Sequence, residues 1–253
     1  MKKIIGVAIA VLIALGSAST SNEQNHFYFS TIRKSRTSEF NGHCSAYGFS
    51  ISNDWEPIYM KDFQTYSYPV NDAGELQYQT DIQQVFLKNV NSSNTYAFAY
   101  RVVLSPLQPG RDWGFIGIGS HGDNWYARVL KTTIDLRDGY SLADWSPKNL
   151  PANYSGTIGV CGGSSGFEIS ATVDFSMSEL TVTSRSNVAT SHYETEYSIY
   201  GYGNYAANSV VFYGFLTFIV PNSYSAWIDV THTCEYFGSE YHGTVSHNYS
   251  FTY

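Results

Sequence analysis

Charge is scarce in this sequence: 14% of its residues are Asp, Glu, Lys or Arg. The little charge present leans acidic, with 21 Asp and Glu against 14 Lys and Arg and a net charge of −7. Without a basic excess to neutralise phosphates, the chain is not built to bind nucleic acid. Long apolar runs are also missing. Beyond the N-terminus the densest is Val210 to Val220, eleven residues interrupted by Gly214 and Thr217, so no helical transmembrane span is expected there. Cysteine occurs only at 44, 161 and 234. In an oxidising compartment two of the three could pair, and sequence alone does not choose which two. Hydrophobic residues nevertheless reach 43%, which excludes a disordered acidic chain.

The N-terminus reads as a secretory signal over residues 1–18. Lys2 and Lys3 form its charged start, Ile4 to Leu15 its apolar stretch, and Gly16-Ser17-Ala18 supplies the small residues before cleavage. The protein is therefore expected to be secreted or displayed at the cell surface, after cleavage at about Ala18. The low Lys content and an Asn/Ser/Tyr-rich surface suit that setting. Arg33-Lys34-Ser35-Arg36, the one dense basic cluster, reads as a solvated loop.

What the chain does have is aromatic and hydroxyl side chains in alternating order. Aromatics make up 17% of residues, and Ser plus Thr occupy 51 positions. Phe167, Ile169, Ala171, Val173, Phe175 and Met177 alternate with Glu168, Ser170, Thr172, Asp174 and Ser176. This period of two marks a half-buried antiparallel strand. The same pattern occurs at Tyr96 to Leu104, and further strands are expected over Tyr126 to Leu136, Tyr193 to Ile199 and Ile228 to Tyr236. Val210 to Val220 is apolar at every phase and should be an inner strand covered on both faces. Gly, Pro and Asn punctuate these runs, at Pro106 to Gly110, Asp138-Gly139, Gly162-Gly163 and Gly201 to Asn204. The expected fold is all-β: an antiparallel β-sandwich, jelly-roll or Ig-like, with at most one short helix. The helix is expected near 74–88, where Tyr78, Ile82, Val85 and Phe86 fall at helical spacing after Asp72 and Glu75. Residues 19–70 read as an N-terminal extension packed on a single sandwich domain over 71–253.

The chain ends on an alternating strand. Val245, His247, Tyr249, Phe251 and Tyr253 share one face, and the last residue is aromatic. This resembles the closing strand of bacterial outer-membrane barrels, and the resemblance implies a lipid-facing apolar band. The alternative reading of the same residues is a strand that completes the open sheet edge of a second copy. On that reading, truncation before Thr244 leaves a folded monomer that no longer assembles.

Candidate chemistry is sparse. Gly162-Gly163-Ser164-Ser165-Gly166 matches G-x-S-x-G, but a nucleophile elbow needs a helix after it and a strand pattern follows instead. His192, Glu194 and Glu196 share one strand face and could hold a divalent cation. Asp112, Asp123, Asp135 and Asp138, with His121, make calcium a possible ligand without matching its spaced loop. Glu168 with Asp174, or Glu194 with Glu196, are the acid pairs a hydrolase of polysaccharide or peptide would draw on. No residue is assigned a catalytic role. The aromatics are more informative: Tyr200, Tyr202 and Tyr205 sit in a Gly-rich loop, and Trp113 and Trp125 bracket another. Flat rings beside Asn, Asp and Ser suit contact with a glycan or a protein. The sequence therefore reads as an exported β-sandwich for binding or self-assembly, acting through aromatic loops or strand addition. A secreted hydrolase and an outer-membrane barrel are the two alternatives.

Overall fold

The computed structural model describes residues 23–27, 51–70, 76–106, 125–160, 171–199, 209–221, 225–237 and 242–253. Side chains are described in these ranges except at 23–27, 60–70, 76, 151–160, 171–179 and 242. Strands account for most of this chain: β1 (Glu23–Phe27), β2 (Trp55–Val70), β3 (Leu76–Asn89), β4 (Thr95–Pro106), β5 (Tyr126–Leu136), β6 (Ser141–Ser146), β7 (Leu150–Val160), β8 (Ala171–Ser184), β9 (His192–Ile199), β10 (Val210–Ile219), β11 (Trp227–Phe237) and β12 (His242–Thr252). They form a seven-stranded sheet in the order β1-β12-β11-β5-β9-β8-β7 and a five-stranded sheet in the order β2-β3-β4-β10-β6. Pairing is antiparallel throughout, apart from β1 on β12. The fold is the all-β sandwich that the alternation predicts.

Period two explains the packing. The inward positions of β4 are Tyr96, Phe98, Tyr100, Val102 and Leu104, each at most 4% exposed. Facing them from the other sheet are Tyr193 and Tyr197 of β9 and Tyr249 and Phe251 of β12. Phe251 meets Phe98 at a centroid distance of 5.2 Å and Phe86 at 6.2 Å, so aromatic rings bridge the two sheets. Each such ring contributes about 1.5–3 kcal/mol by leaving water. The five-stranded sheet is buried on its other face as well, through Val85, Leu87, Ala97, Ala99 and Phe215. That two-sided burial explains why apolar residues occupy both phases of β10.

The helix expected near 74–88 is strand β3. An inner strand of a sheet covered on both faces buries consecutive residues. Here several of those residues are polar: Thr80, Gln83 and Gln84 are all buried. Thr80 bonds Tyr236 across the sandwich at 2.8 Å, and Gln84 bonds His232 at 2.9 Å. With polar residues at core positions, the remaining apolar ones fell at helical spacing by coincidence. Among the described residues the one helical element is a 3-10 turn at Val188–Thr190, capped by the Asn187 side chain. The expected N-terminal extension also divides, because residues from Trp55 onward form β2, the edge of the five-stranded sheet.

The C-terminal strand is not free. β12 lies between β1 and β11 in its own chain. Val245, His247, Tyr249 and Phe251 are buried inside the sandwich, so their alternation faces a protein core rather than lipid. This overturns both the barrel-closing reading and the donated-strand reading, since a donated β12 would empty this core. The outermost strands, whose far edges have no partner among the described residues, are β1, β7, β2 and β6.

Candidate functional site

The topology gathers the connections of interest at one end of the sandwich. Val210 of β10 pairs with Leu104 of β4, and Ser105 and Ser209 hydroxyls meet at 2.8 Å. Tyr126 of β5 pairs with Phe237 of β11. Across the sheets, Tyr78 at the start of β3 stacks on Tyr236 near the end of β11, with centroids 4.2 Å apart. The ends flanking 71–75, 107–124, 200–208 and 238–241 therefore lie together. Trp113, Tyr200, Tyr202 and Tyr205 belong to two of these connections and lie outside the described residues. Trp125 is described and is a correction: it is 3% exposed, with its ring 5.0 Å from Tyr78. That burial and its contact with Tyr78 of β3 place it in the end of the core rather than on a ligand-facing surface.

The β7–β8 hairpin leaves the sandwich at that same end. β8 pairs with β9 only from Leu180 to Ser184. Among the described residues its earlier part pairs with β7 alone, from Gly156↔Phe175 to Val160↔Ala171. In this register Ile158 lies opposite Val173 and Val160 opposite Ala171, while Thr157 lies opposite Asp174 and Gly159 opposite Thr172. The two strands thus form a ribbon with apolar positions on one face and small or polar positions on the other. Gly162 to Gly166 sits between these strands, outside the described residues, and the next described element is β8, a strand. A helix is what an elbow would require.

The candidate metal residues have other partners. Glu194 contacts Lys131 at 3.0 Å and also pairs with Arg185, which reaches Glu196 at 3.3 Å. His192 contacts Asp135 at 3.0 Å. Burial pushes the Glu194 carboxyl up, but hydrogen bonds from Arg185 and Lys131 outweigh it and hold the group below its usual range. That is the reverse of what a general acid needs. Among the described residues, no cluster of three or more His, Cys, Asp or Glu is arranged to hold a metal ion. Asp112, Asp123, His121 and Glu168 lie outside the described residues. Cys234 is fully buried with a free thiol, which leaves Cys44 with Cys161 as the intrachain pair still open.

Sequence reasoning missed the inner polar seam. Thr80, Gln84, Thr132, Thr195, His232 and His247 are all buried, at 0–3% exposure. The signal lay in the strands themselves, as a polar residue at an inward phase of β3, β5, β9, β11 and β12.

No family model and no curated protein matches the chain. Many solved structures are similar to it, and two of them show the level of likeness. One is described as a pore forming protein, with 14% identity, a TM-score of 0.36 and coverage of 79% of this chain and 90% of that one. The other is the Clostridium perfringens NetB toxin in the membrane inserted form, with 11% identity, a TM-score of 0.33 and coverage of 78% and 100%. Likeness at this level carries no argument about function.

Proposed function

We propose that this is an exported protein that docks on a cell surface through one end of its sandwich and self-associates there, with the β7–β8 ribbon entering the bilayer. The observation that carries the reading is the ribbon: N-terminal to Leu180, β8 has no strand partner among the described residues other than β7. A transmembrane β-strand needs about 9–11 residues with an apolar and a polar face. The alternating run from Phe167 to Met177 has eleven. Self-association follows from the physics of the hydrocarbon core. A lone hairpin there would expose its outer backbone N–H and C=O groups, each unsatisfied group costing several kcal/mol, so only a closed ring of ribbons is tolerated. Trp113, Tyr200, Tyr202 and Tyr205 lie in connections anchored at the same end, where rings with one polar edge favour a membrane interface or a surface glycan.

Dye-loaded vesicles test this. The mature protein should release dye and form oligomers on lipid. Val173→Asp, on the apolar face, should abolish release with little change in soluble stability, because a charged side chain on the lipid face of a barrel strand is destabilising and the cost is repeated in every copy of the ring. Thr172→Asp, on the opposite face, should leave release intact. Equal behaviour of the two variants, or no lipid binding by the wild type, would sink the reading.

A further inference from the structure

The outer face of the seven-stranded sheet holds a cavity of about 180 Å³, lined by residues of β5, β9 and β11. Divergence of two strands opens it. β5 and β9 pair no further than Val129↔Ser198, while β9 continues beside β8 to Ile199↔Leu180. A bulge then aims a cation into the gap. The pairing of β5 with β11 passes from Val129↔Glu235 to Ala127↔Tyr236, so Arg128 is an extra residue with no partner on β11. Ala127 and Leu130 on either side are buried in the core. Arg128 and Val129 therefore stand side by side on the outer face, and both line the cavity.

Two of the four charges at this cavity are already engaged. Lys131 pairs with Glu194 at 3.0 Å, and Glu196 meets Arg185 at 3.3 Å and the Ser198 hydroxyl at 3.0 Å. The other two are Arg128, whose guanidinium lies 5.7 Å from the Phe237 ring centroid, and Glu235. Neither makes a hydrogen bond or an ion pair to a described residue.

We infer that this cavity binds a small zwitterion, its acid group on Arg128 and a primary ammonium on Glu235. The guanidinium fork matches a carboxylate or a phosphate. Glu235, with the hydroxyl oxygen of Ser198, offers acceptors to the N–H groups of an ammonium. A quaternary ammonium has no N–H to give and is held by aromatic rings, of which the lining has none. Pockets for drug-sized ligands run to about 300–1,000 Å³, so this smaller one takes an amino acid or a phosphorylated amine rather than a glycan or a peptide. The inference does not rest on the membrane reading, because a free solute and an ethanolamine lipid headgroup carry the same pair of charges.

Amide chemical shifts of the mature protein, titrated with phosphoethanolamine and separately with glycine, test this without lipid. At least one probe should shift the amides of Arg128, Ser198 and Glu235 and reach saturation. Its trimethylated analogue, phosphocholine or betaine, should bind at least about tenfold more weakly. Arg128→Gln and Glu235→Gln should each weaken binding by about tenfold or more, the size of one lost charge-assisted bond. Both variants should keep the wild-type fold, since neither side chain is tied to the rest of the protein by a hydrogen bond or ion pair. No saturable shift with either probe, equal binding of the trimethylated analogue, or wild-type affinity in either variant overturns the inference. Vesicles then separate the two sources. Binding that rises when phosphatidylethanolamine is added to phosphatidylcholine vesicles, and falls back in Arg128→Gln, assigns the cavity to a lipid headgroup. Soluble-probe binding with no preference between the vesicles assigns it to a free solute. Absence of vesicle binding altogether overturns the membrane reading, while the soluble titration still decides the cavity.

Discussion

Gly214 offers the sharpest test of how the two sheets fit. It lies on β10 opposite Tyr100 of β4. A Cβ added there would sit 2.3 Å from both Cζ and the hydroxyl oxygen of Tyr100. The ring cannot yield freely, because it is fully buried, bonded to Tyr193 at 2.9 Å and set edge-on to His232 at 5.0 Å. Restoring ordinary contact moves it by about 1 Å, at an overpacking cost of about 1–3 kcal/mol. Losing the hydroxyl bond to Tyr193 adds about 1 kcal/mol. Against this, replacing Gly by Ala narrows the unfolded ensemble and returns about 0.4–1 kcal/mol. Gly214→Ala should therefore destabilise the protein by about 2–3 kcal/mol in denaturant unfolding at pH 8. Tyr100→Ala alone should cost about 3–5 kcal/mol by leaving a cavity. In the double variant the new methyl enters that cavity, so the total should not exceed that of Tyr100→Ala. Additive losses would show that the clash is not with this ring, and an unchanged or raised stability in Gly214→Ala would refute the close approach altogether.

Three further outcomes follow from the core. Burial pushes the Cys234 thiol up to about 12, and it is fully enclosed, so alkylation at pH 8 should spare it in the folded protein and modify it in guanidinium, read by mass spectrometry of the peptide. Modification in the native state would contradict the burial. Removing β12 takes Phe251 and Tyr249 out of the aromatic bridge, so truncation before Thr244 should yield an unfolded chain by circular dichroism. Phe251→Ala alone should cost about 3–5 kcal/mol. A folded, cooperative truncate would return the C-terminal strand to the role of a free donor.

The strands with one dry face were legible because the pleat imposes period two on any half-buried segment. Tyr126–Leu136 was readable to its ends, and Tyr96 to Leu104 within two residues. Doubly buried strands were less legible. β10 was found because its buried residues are apolar apart from Thr217, whereas β3 carries Thr80, Gln83 and Gln84 in buried positions and took on a helical rhythm. The aromatic connections were visible from composition, but Trp125 and Tyr205 look alike in sequence, and only the tertiary packing of Tyr78 from β3 against Trp125 puts the former in the core.

Local sequence thus determined the class of fold, the phase of most strands and the amphipathic character of the β7–β8 segment, since each depends on neighbours within a few residues. Which polar residues lie inside, which strand ends lie together and whether the last strand is free were decided by pairing between residues as far apart as Gln84 and His232. The reason is physical. A buried histidine is tolerable only if partners from distant strands meet its ring nitrogens, and no local pattern encodes where those partners will stand.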